Sequence, residues 1–187
     1  RLIKDGYADC CMFGRALIAD PYWPKKILNG NEEEIVPCIR CMHCYHIATE
    51  HWNVQCSVNP RFRRENRMCM SMPISATKKK VVIIGGGVAG IVAALSCDKQ
   101  GHDVTLFEKE DYLGGLLKYA SKGPFKQDLR RYWNYLLNQV NKSSIDVRMH
   151  TLATVENVSK LKPDRLIIAT GSLSRHLNIP GNEKIMD

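Results

Sequence analysis

The sequence has no apolar run of the roughly 20 residues that a membrane-spanning helix needs, and we expect no signal peptide. It also lacks the composition of a disordered chain, because 44% of its residues are hydrophobic and 25% are charged. No internal repeat is present. These absences argue against transmembrane and disordered proteins. We expect a globular chain that works in the cytoplasm without a membrane partner.

Acidic residues are fewer than basic ones. The chain has 19 Asp and Glu against 27 Lys and Arg, so its net charge is +8 (27 − 19). The runs RFRR at 61–64 and KKK at 78–80 keep a zinc-stapled nucleic-acid-binding module open as a remote alternative. No aromatic-rich stacking surface accompanies these runs, and anionic cofactors would also balance the charge. We therefore expect no nucleic-acid partner.

The first part of the chain divides into three segments. It opens on RLIKDGYADCC without an initiator Met, and we expect a piece of a longer polypeptide. Residues 1–30 are predicted to form a buried strand at ADCCMF, a turn at GR and a short amphipathic helix at YWPKKILNG. Residues 31–60 show little periodicity and predict a loop that needs a bound group, such as a metal centre, to hold it in place. Residues 61–79 are basic and interrupted by proline, which predicts a linker.

From Lys80 onward, short apolar runs alternate with helical patterns. VVII, DVTLFE, IDVRM and RLIIA are predicted strands, and VAGIVAALSCDKQ and PFKQDLRRYWNYLLNQV are predicted helices. The second helix has apolar residues at helical spacing: Phe125, Leu129, Trp133, Leu136, Leu137 and Val140. Alternating strands and helices predict a parallel sheet, so we expect residues 80–187 to belong to an α/β domain of the Rossmann type.

Cysteine is abundant, with eight residues. Four of them follow the spacing C-x2-C-x2-C-x11-C: Cys38, Cys41, Cys44 and Cys56. In an unsecreted chain this pattern indicates metal or redox chemistry and not a disulfide framework. Three closely spaced thiolates suit a 4Fe–4S cluster, in which each thiolate takes one iron. Structural zinc, with help from His43, His46 or His51, and unligated thiols remain alternatives.

The other four cysteines have no partner at metal-ligand spacing. They are Cys10, Cys11, Cys69 and Cys97. Free cysteine often behaves as a small apolar residue, so we expect Cys10, Cys11 and Cys97 to lie in the core.

A glycine-rich loop, VVIIGGGVAG, joins the first of these strands to the first long helix. It supplies Gly85, Gly87 and Gly90 in the pattern G-x-G-x-x-G, which is typical of dinucleotide-binding folds. Gly85 allows the tight turn, Gly87 lets the backbone approach a pyrophosphate, and Gly90 lets helix and strand pack closely. Glu108, 18 residues past Gly90, is predicted to accept hydrogen bonds from ribose hydroxyls. A glycine-rich turn without a ligand is the alternative.

The glycine loop alone does not separate FAD from NAD. Two more glycine-bearing turns follow strand ends: EKEDYLGG, which contains Gly115, and LIIATGS, which contains Ala169, Thr170 and Gly171. Turns at several strand ends suit a long, extended ligand, and plain tight turns would have the same sequence.

Taken together, GRALIADPYWPKKILNG, PCIRCMHC…CSVNP and VVIIGGGVAG…EKEDYLGG…IIATGS…IPG resemble the iron–sulfur flavoenzymes of the old yellow enzyme class. This class includes 2,4-dienoyl-CoA reductase, enoate reductases, trimethylamine dehydrogenase and related NADH:flavin oxidoreductases. The resemblance covers nearly the whole chain, and the motifs come in the same order.

The resemblance implies a large modular enzyme. In this class a TIM barrel holds FMN, a 4Fe–4S cluster lies beside it, and FAD- and NAD(P)H-binding domains follow. Residues 1–30 would be the last βα unit of the barrel, with Gly14 and Arg15 on the FMN phosphate. The four spaced cysteines would be the cluster ligands, and the glycine loop with Glu108 would bind FAD. The nucleotide would be ADP on the trimethylamine dehydrogenase side, toward which the cysteine spacing leans. Arg40, between two ligands, is expected to point to solvent.

The implied activity belongs to the parent enzyme. NAD(P)H would reduce FAD, single electrons would pass through the cluster to FMN, and reduced FMN would deliver a hydride to an activated double bond of a small-molecule substrate. Amine oxidation by the same path in the other direction is the alternative. The residues that protonate the substrate would lie outside this chain. Its partners would be the barrel and the NAD(P)H domain of its own polypeptide, and assembly into a homo-oligomer stays open.

Overall fold

A four-stranded parallel sheet organises the second half of the chain in the computed structural model, which describes residues 2–50, 52–68 and 73–172. The strands are β1 (Lys80–Ile84), β2 (Asp103–Phe107), β3 (Asp146–Arg148) and β4 (Arg165–Ile168). They lie in the order β3-β2-β1-β4, and every pairing is parallel. The strand order therefore reverses between β1 and β4, where open α/β sheets bind ligands beyond the carboxyl ends of the strands. The predicted parallel α/β sheet is confirmed.

Two long helices cover one face of this sheet. α4 (Val88–Lys99) connects β1 to β2, and α6 (Gln127–Asn141) lies between β2 and β3 in the chain. Their apolar side chains form one buried cluster with those of the strands: Val81, Ile83, Ile91, Ala94, Leu95, Val104, Leu106, Tyr132, Leu136 and Val140. On α6 the buried residues recur at every fourth position, which places them on one face of the helix.

The opposite face of the sheet carries a smaller buried cluster with α7 (Val155–Lys160). This helix begins at a reciprocal cap, in which the side chains of Thr154 and Asn157 each accept a hydrogen bond from the other residue's backbone N–H. Leu166 and Ile168 on β4 are 46% and 71% exposed. The described residues therefore cover this face only in part.

The helix α6 begins later than its apolar pattern predicts. Phe125 precedes the helix and is 79% exposed. The guanidinium of Arg130 donates hydrogen bonds to the carbonyls of Ser121 and Gly123, at 2.6 and 2.8 Å. These bonds hold the preceding turn, so the chain enters the helix only after it. The short helix α5 (Leu117–Ala120) precedes that turn.

The amino-terminal part of the chain is less regular. It contains α1 (Arg15–Ala19), α2 (Trp23–Leu28), a 3-10 turn at Glu32–Glu34 and α3 (His43–Thr49). The helix predicted near Gly30 is present as α2. The segment predicted as a loop contains α3 and the 3-10 turn, so it is more ordered than its weak periodicity suggests.

The strand predicted at ADCCMF is not formed. Residues 8–13 pair with no strand of the described part, and Cys10 and Cys11 are exposed, so their prediction as core residues was wrong. A strand is stabilised by hydrogen bonds to a neighbouring strand, and the described sheet lies elsewhere in the chain. Cys97 on α4 packs against the main core, as predicted.

The cysteine-bearing segment packs on the helices of the sheet. Its apolar side chains extend the main core: Val36, Ile39 and Val58. Two ion pairs connect it to α6, one from Lys142 Nζ to Glu33 Oε1 at 2.9 Å and one between Arg40 and Asp128. The two parts of the chain therefore share one packed interface.

The remaining predictions concern the linker and the residues outside the described ranges. Residues 61–68 and 73–79 of the predicted linker contain no helix or strand. Residues 173–187, which include the IPG motif of the family resemblance, and His51 lie outside the described residues. Within the described ranges, no helix is long and apolar enough to span a lipid bilayer.

Candidate functional site

Four cysteine side chains meet at one small pocket beside α1. All four predicted cluster ligands line it: Cys38, Cys41, Cys44 and Cys56. They are free thiols, and only Cys41 is fully exposed. The rest of the wall is mostly apolar, with Ile18, Ile39 and Val58. The chain thus gathers four soft ligands in a setting that limits their contact with water.

The backbone wraps this pocket with two residues in the left-handed region. Arg40 has φ 50° and Met42 has φ 60°. Non-glycine residues seldom adopt this conformation, and such residues cluster at functional sites, where surrounding contacts hold them. The two turns bring the first three cysteines to the same side of the loop, and α3 begins at His43, directly before Cys44.

Hydrogen-bond donors surround the sulfur atoms. The backbone N–H groups of Val58 and Asn59 donate to the Cys56 thiol, and Ser57 Oγ lies 3.3 Å from Cys41 Sγ. Burial raises the pKa of Cys56, the two N–H groups oppose that rise, and the nearby Cys44 and Cys38 add to it. Hydrogen bonds to sulfur are one of the features by which proteins set the potential of an iron–sulfur cluster.

The number of thiols matches both predicted centres, since a 4Fe–4S cluster and a structural zinc ion each take four ligands. Within the described residues, no group of three or more His, Cys, Asp or Glu side chains is arranged to hold a single metal ion. His43 and His46, which would favour zinc, are both exposed on α3. The cluster and the zinc ion both remain predictions for this pocket.

The predicted flavin-phosphate residues lie next to the cysteines. Arg15 on α1 lines the cysteine pocket, and its Nη1 lies 2.6 Å from Met42 Sδ. Gly14 precedes α1, and both residues also line a broad groove together with Cys38. The structure therefore brings Gly14 and Arg15 to the same site as a predicted cluster ligand.

Arg40 is largely exposed, as expected from its sequence position, and it also has a partner that the sequence does not indicate. Its guanidinium pairs with the Asp128 carboxylate in the first turn of α6. The hydrogen bond to Asp128 is the main cause that raises the pKa of Arg40. A charge between two predicted ligands is thus held by the nucleotide-binding unit, and nothing in the local sequence around Arg40 indicates Asp128 as its partner.

Two glycines of the G-x-G-x-x-G loop are required by the protein itself. Gly85 has φ 104°, and a Cβ there would lie 2.3 Å from the Ala169 carbonyl oxygen. A Cβ on Gly90 would lie 1.8 Å from the Gly85 carbonyl oxygen. These close approaches agree with the tight turn and the close helix packing expected for the two positions.

Gly87 is different, because no residue in the described part of the chain fills the space beside it. A Cβ at this position would meet no atom within 4 Å. Gly87 lies directly before α4, whose first N–H groups are free to bind an anion. The open space lies beside the middle glycine of the motif, at the start of a helix. It fits a pyrophosphate that approaches the backbone.

Glu108 braces the glycine loop. Its carboxylate is 7% exposed; Oε2 accepts a hydrogen bond from the Gly86 N–H at 2.7 Å and Oε1 accepts one from the Glu110 N–H at 2.9 Å. The sequence predicts only a ribose contact for this residue. Each oxygen keeps a second lone pair, so the contact with ribose remains a prediction.

The LGG turn packs directly on the glycine loop. Gly114 N–H donates to the Gly86 carbonyl at 2.7 Å, and a Cβ on Gly115 would lie 3.2 Å from Gly87 Cα. Trp133 on α6 fixes this turn, because its Nε1 donates to the Leu113 carbonyl at 2.9 Å. A Cβ on the neighbouring glycine, Gly114, would lie 2.5 Å from that nitrogen. The sequence predicts Trp133 only as a core residue, and its helical spacing gives no sign of this role.

The third predicted turn lies at the end of β4. The Ala169 N–H donates to the Ile84 carbonyl at 2.8 Å, and Ala169 and Thr170 lie against Gly85. Gly171 has φ 76°, and a Cβ there would meet no atom of the described residues within 4 Å. The predicted nucleotide-site residues thus gather at the carboxyl ends of β1, β2 and β4, where the strand order reverses.

Comparison with known proteins agrees with this arrangement. The sequence model of the pyridine nucleotide-disulphide oxidoreductase family matches residues 79–187. The chain belongs to this family. Membership of this family supports binding of FAD or NAD(P)H. The glycine loop described above lies inside the matched residues.

Relatives of known name extend the similarity beyond the family domain. NADH oxidase of Thermoanaerobacter brockii is 39% identical over 186 residues, which are 98% of this chain and 28% of that protein. The structure of 2-naphthoyl-CoA reductase with 2-naphthoyl-CoA has TM-score 0.91 at 34% identity, over 97% of this chain and 28% of that one. Histamine dehydrogenase of Rhizobium sp. 4-9 has TM-score 0.87 at 30% identity, over 94% of this chain and 26% of that protein.

These similarities confirm the resemblance to the old yellow enzyme class of flavoenzymes. The chain spans between 26% and 28% of the length of the three proteins. The 4Fe–4S cluster, the FMN and the TIM barrel remain predictions for this pyridine nucleotide-disulphide oxidoreductase.

Proposed function

We propose that the protein containing this chain is an NAD(P)H-dependent flavin oxidoreductase that reduces an activated carbon–carbon double bond, as in an enoate or a dienoyl thioester. FAD, a 4Fe–4S cluster and FMN would supply the electron and hydride transfers when bound. The residues of this chain hold, separate and shield these groups.

The observation that carries the proposal is the position of the cysteine pocket. It lies beside Gly14 and Arg15 on one side, and its segment packs on α4 and α6 of the nucleotide-binding unit on the other. A one-electron relay needs a redox partner on each side, and this placement supplies a predicted site on each side. The nearby core side chain Tyr132 has a pKa raised first by burial and then by Cys56, which indicates that α6 reaches the pocket.

Each group of residues has a separate role in this proposal. The four cysteine thiolates bind the cluster, and the N–H groups of Val58 and Asn59 donate to one of them. Gly87 and the start of α4 receive the pyrophosphate of the nucleotide. Arg15 donates to the phosphate of FMN. The apolar wall of the cysteine pocket restricts water around the sulfur atoms.

The relatives support a reductase. One is an NADH oxidase and another is a reductase whose structure contains 2-naphthoyl-CoA, a thioester conjugated to an unsaturated ring. Both are similar to this chain over nearly its whole length, so the same class of reaction is the first choice here.

The test is to purify the protein without air and to measure iron, acid-labile sulfide, zinc and flavin. We expect about four irons and four sulfides per chain. Cys44→Ser should lose iron, whereas Cys97→Ser, which removes a half-buried thiol outside the pocket, should keep it. The protein should then oxidise NAD(P)H when a 2-enoate or dienoyl thioester is added.

Two results would contradict the proposal. One zinc per chain without iron would show that the four cysteines bind a structural zinc ion and not a cluster. A full complement of iron and flavin with no NAD(P)H-dependent reduction of either substrate class would keep the sites and reject the reaction.

Amine oxidation is a second candidate, favoured by the similarity to histamine dehydrogenase. In that case an amine would bleach the flavin anaerobically without NAD(P)H, and electrons would leave to an external acceptor. Adding histamine or trimethylamine in place of NAD(P)H distinguishes the two directions in one spectroscopic experiment.

A further inference from the structure

A basic pocket lies beyond the cysteine segment, outside both predicted cofactor sites. Two short stretches of the chain line it, around residues 53–55 and 63–68. Its lining side chains are Asn53, Val54, Gln55, Arg63, Arg64, Asn66, Arg67 and Met68. Six of these eight carry hydrogen-bond donors, three are guanidinium groups, and none is a carboxylate.

The three guanidinium groups are free to bind a ligand. Arg63, Arg64 and Arg67 are exposed, and within the described residues none of the three makes a side-chain ion pair or hydrogen bond. Arg40 and Arg148, by comparison, each pair with an aspartate. Three unpaired like charges repel one another, so their convergence on one pocket is unfavourable unless an anion joins them.

The local backbone holds the arginines in this arrangement. The Arg67 N–H donates to the Arg64 carbonyl at 2.9 Å, which closes a turn. Arg63 has φ 60°, and its N–H donates to Glu65 Oε1 at 3.0 Å. The one carboxylate in the run, Glu65, accepts this backbone hydrogen bond, and among the described residues it forms no ion pair with the guanidinium groups.

We infer that this pocket binds a phosphomonoester on a ribose. A phosphate of this kind carries up to two negative charges, and planar guanidinium groups bind it through paired hydrogen bonds. The amides of Asn53, Gln55 and Asn66 suit a neighbouring base or sugar.

The inference rests on the proposed function for the choice of ligand. The 3′-phosphate of a coenzyme A thioester substrate is the source that agrees with reduction of a dienoyl thioester. The 2′-phosphate of NADPH has the same chemistry.

The experiment uses two pairs of ligands that each differ by one phosphate. Calorimetry on the anaerobically purified, cofactor-loaded protein compares coenzyme A with dephospho-coenzyme A, and NADPH with NADH. We expect coenzyme A to bind about tenfold or more tightly than its dephospho form, because several charge-assisted hydrogen bonds are lost with the phosphate. The triple substitution of Arg63, Arg64 and Arg67 by Gln should bring this ratio close to one.

A control variant removes the same charge elsewhere. Lys25, Lys99 and Lys162 are exposed and lie outside the pocket, so their replacement by Gln should leave the ratio unchanged. Replacing the three arginines by Lys keeps the charge and removes the planar fork, and it should give an intermediate ratio.

Each outcome decides one point. A phosphate-dependent ratio for NADPH alone assigns the pocket to the cofactor and still supports the inference. A ratio of one in both pairs, or a ratio that survives the triple Arg→Gln substitution, overturns it. If coenzyme A binds as expected while thioester reduction is absent, the proposed function fails and the phosphate site stands, because the measurement is binding and not turnover.

Discussion

The sheet unit and the cysteine segment achieve order in different ways. Residues 80–172 bury a continuous apolar core, in which Ile83, Ile91 and Leu106 are completely inaccessible to water. The segment at residues 36–59 buries only Ile47 among its apolar side chains, and its loop contains two left-handed non-glycine residues. The sheet unit is stabilised by its own packing, whereas the cysteine segment depends on its contacts with α6 and on what its thiols bind.

This difference assigns the glycines and the cysteines to separate tasks. Gly85 and Gly90 serve the fold, Gly87 is proposed to serve a ligand, and the four cysteines would do both if they bind a cluster. Substitutions should therefore separate folding from binding in the sheet unit and should fail to separate them in the cysteine segment.

The largest effect is expected at Gly90. Gly90→Ala places a methyl group 1.8 Å from the Gly85 carbonyl oxygen, and both partners are backbone, so we expect a loss of more than about 4 kcal/mol and little folded protein. Gly87→Ala is the matched control, because no atom lies within 4 Å of the new methyl group. It should change the free energy of unfolding by about 1 kcal/mol or less and should abolish nucleotide retention. Urea unfolding followed by circular dichroism, together with nucleotide content, checks both.

Equal stabilities for these two alanine variants would remove the distinction between structural and ligand-facing glycines. Nucleotide retained by Gly87→Ala would likewise remove the pyrophosphate from that space.

Substitutions of Trp133 test α6, the helix that belongs to the sheet unit and contacts the cysteine segment. Trp133→Ala removes the indole from the Gly114 turn, and we expect a loss of about 3 kcal/mol together with much weaker nucleotide retention. Trp133→Phe keeps an aromatic ring and lacks the N–H donor, so it should lose about 1 kcal/mol and retain part of the binding. Unfolding midpoints and nucleotide titration separate the two contributions. If Trp133→Ala loses stability while nucleotide affinity is unchanged, the indole only fills space.

Removing the proposed cluster should affect the cysteine segment alone. Anaerobic chelation should increase amide hydrogen exchange at residues 36–59 by about 100-fold, because this segment has few buried contacts of its own. The amides of β1, β2 and β4 should keep their protection. Exchange measured by mass spectrometry gives both in one experiment. Loss of protection in the strands would mean that the sheet unit also depends on the cluster.

The ion pair between Arg40 and Asp128 should have the smallest effect. Asp128→Asn removes a contact whose arginine is largely exposed, so exchange in the cysteine segment should rise by less than about tenfold, and high salt should produce most of the same change. Adding Arg40→Gln should have no further effect if the two residues act only on each other. A second, additive increase would show that Arg40 has another partner.

The sheet was predictable from the sequence because its signals are local. Apolar runs at β1 and β2, the glycine loop and the four-residue periodicity around Leu136 and Val140 each determine structure within a few residues. The grouping of the four cysteines followed from their spacing, since short loops hold such residues close together whatever surrounds them.

What the sequence left out depends on residues far apart in the chain. Asp128 meets Arg40 across 88 positions, and Trp133 meets Leu113 across 20. The strand expected at ADCCMF failed for a related reason, because a strand forms only where a partner strand is placed beside it. Local pattern indicates what a segment prefers and does not indicate which distant neighbour it meets.

The contact between Trp133 and Gly114 restricts how this protein can be recombined. A hydrogen atom is all that fits between the indole and the Gly114 backbone, so the helix and the turn have to be exchanged together. A chimaera that took α6 from one relative and the LGG turn from another would work only where both parents supplied this same tryptophan and glycine. Chimaeras between members of this group of enzymes should therefore have their crossover points before residue 113 or after residue 141.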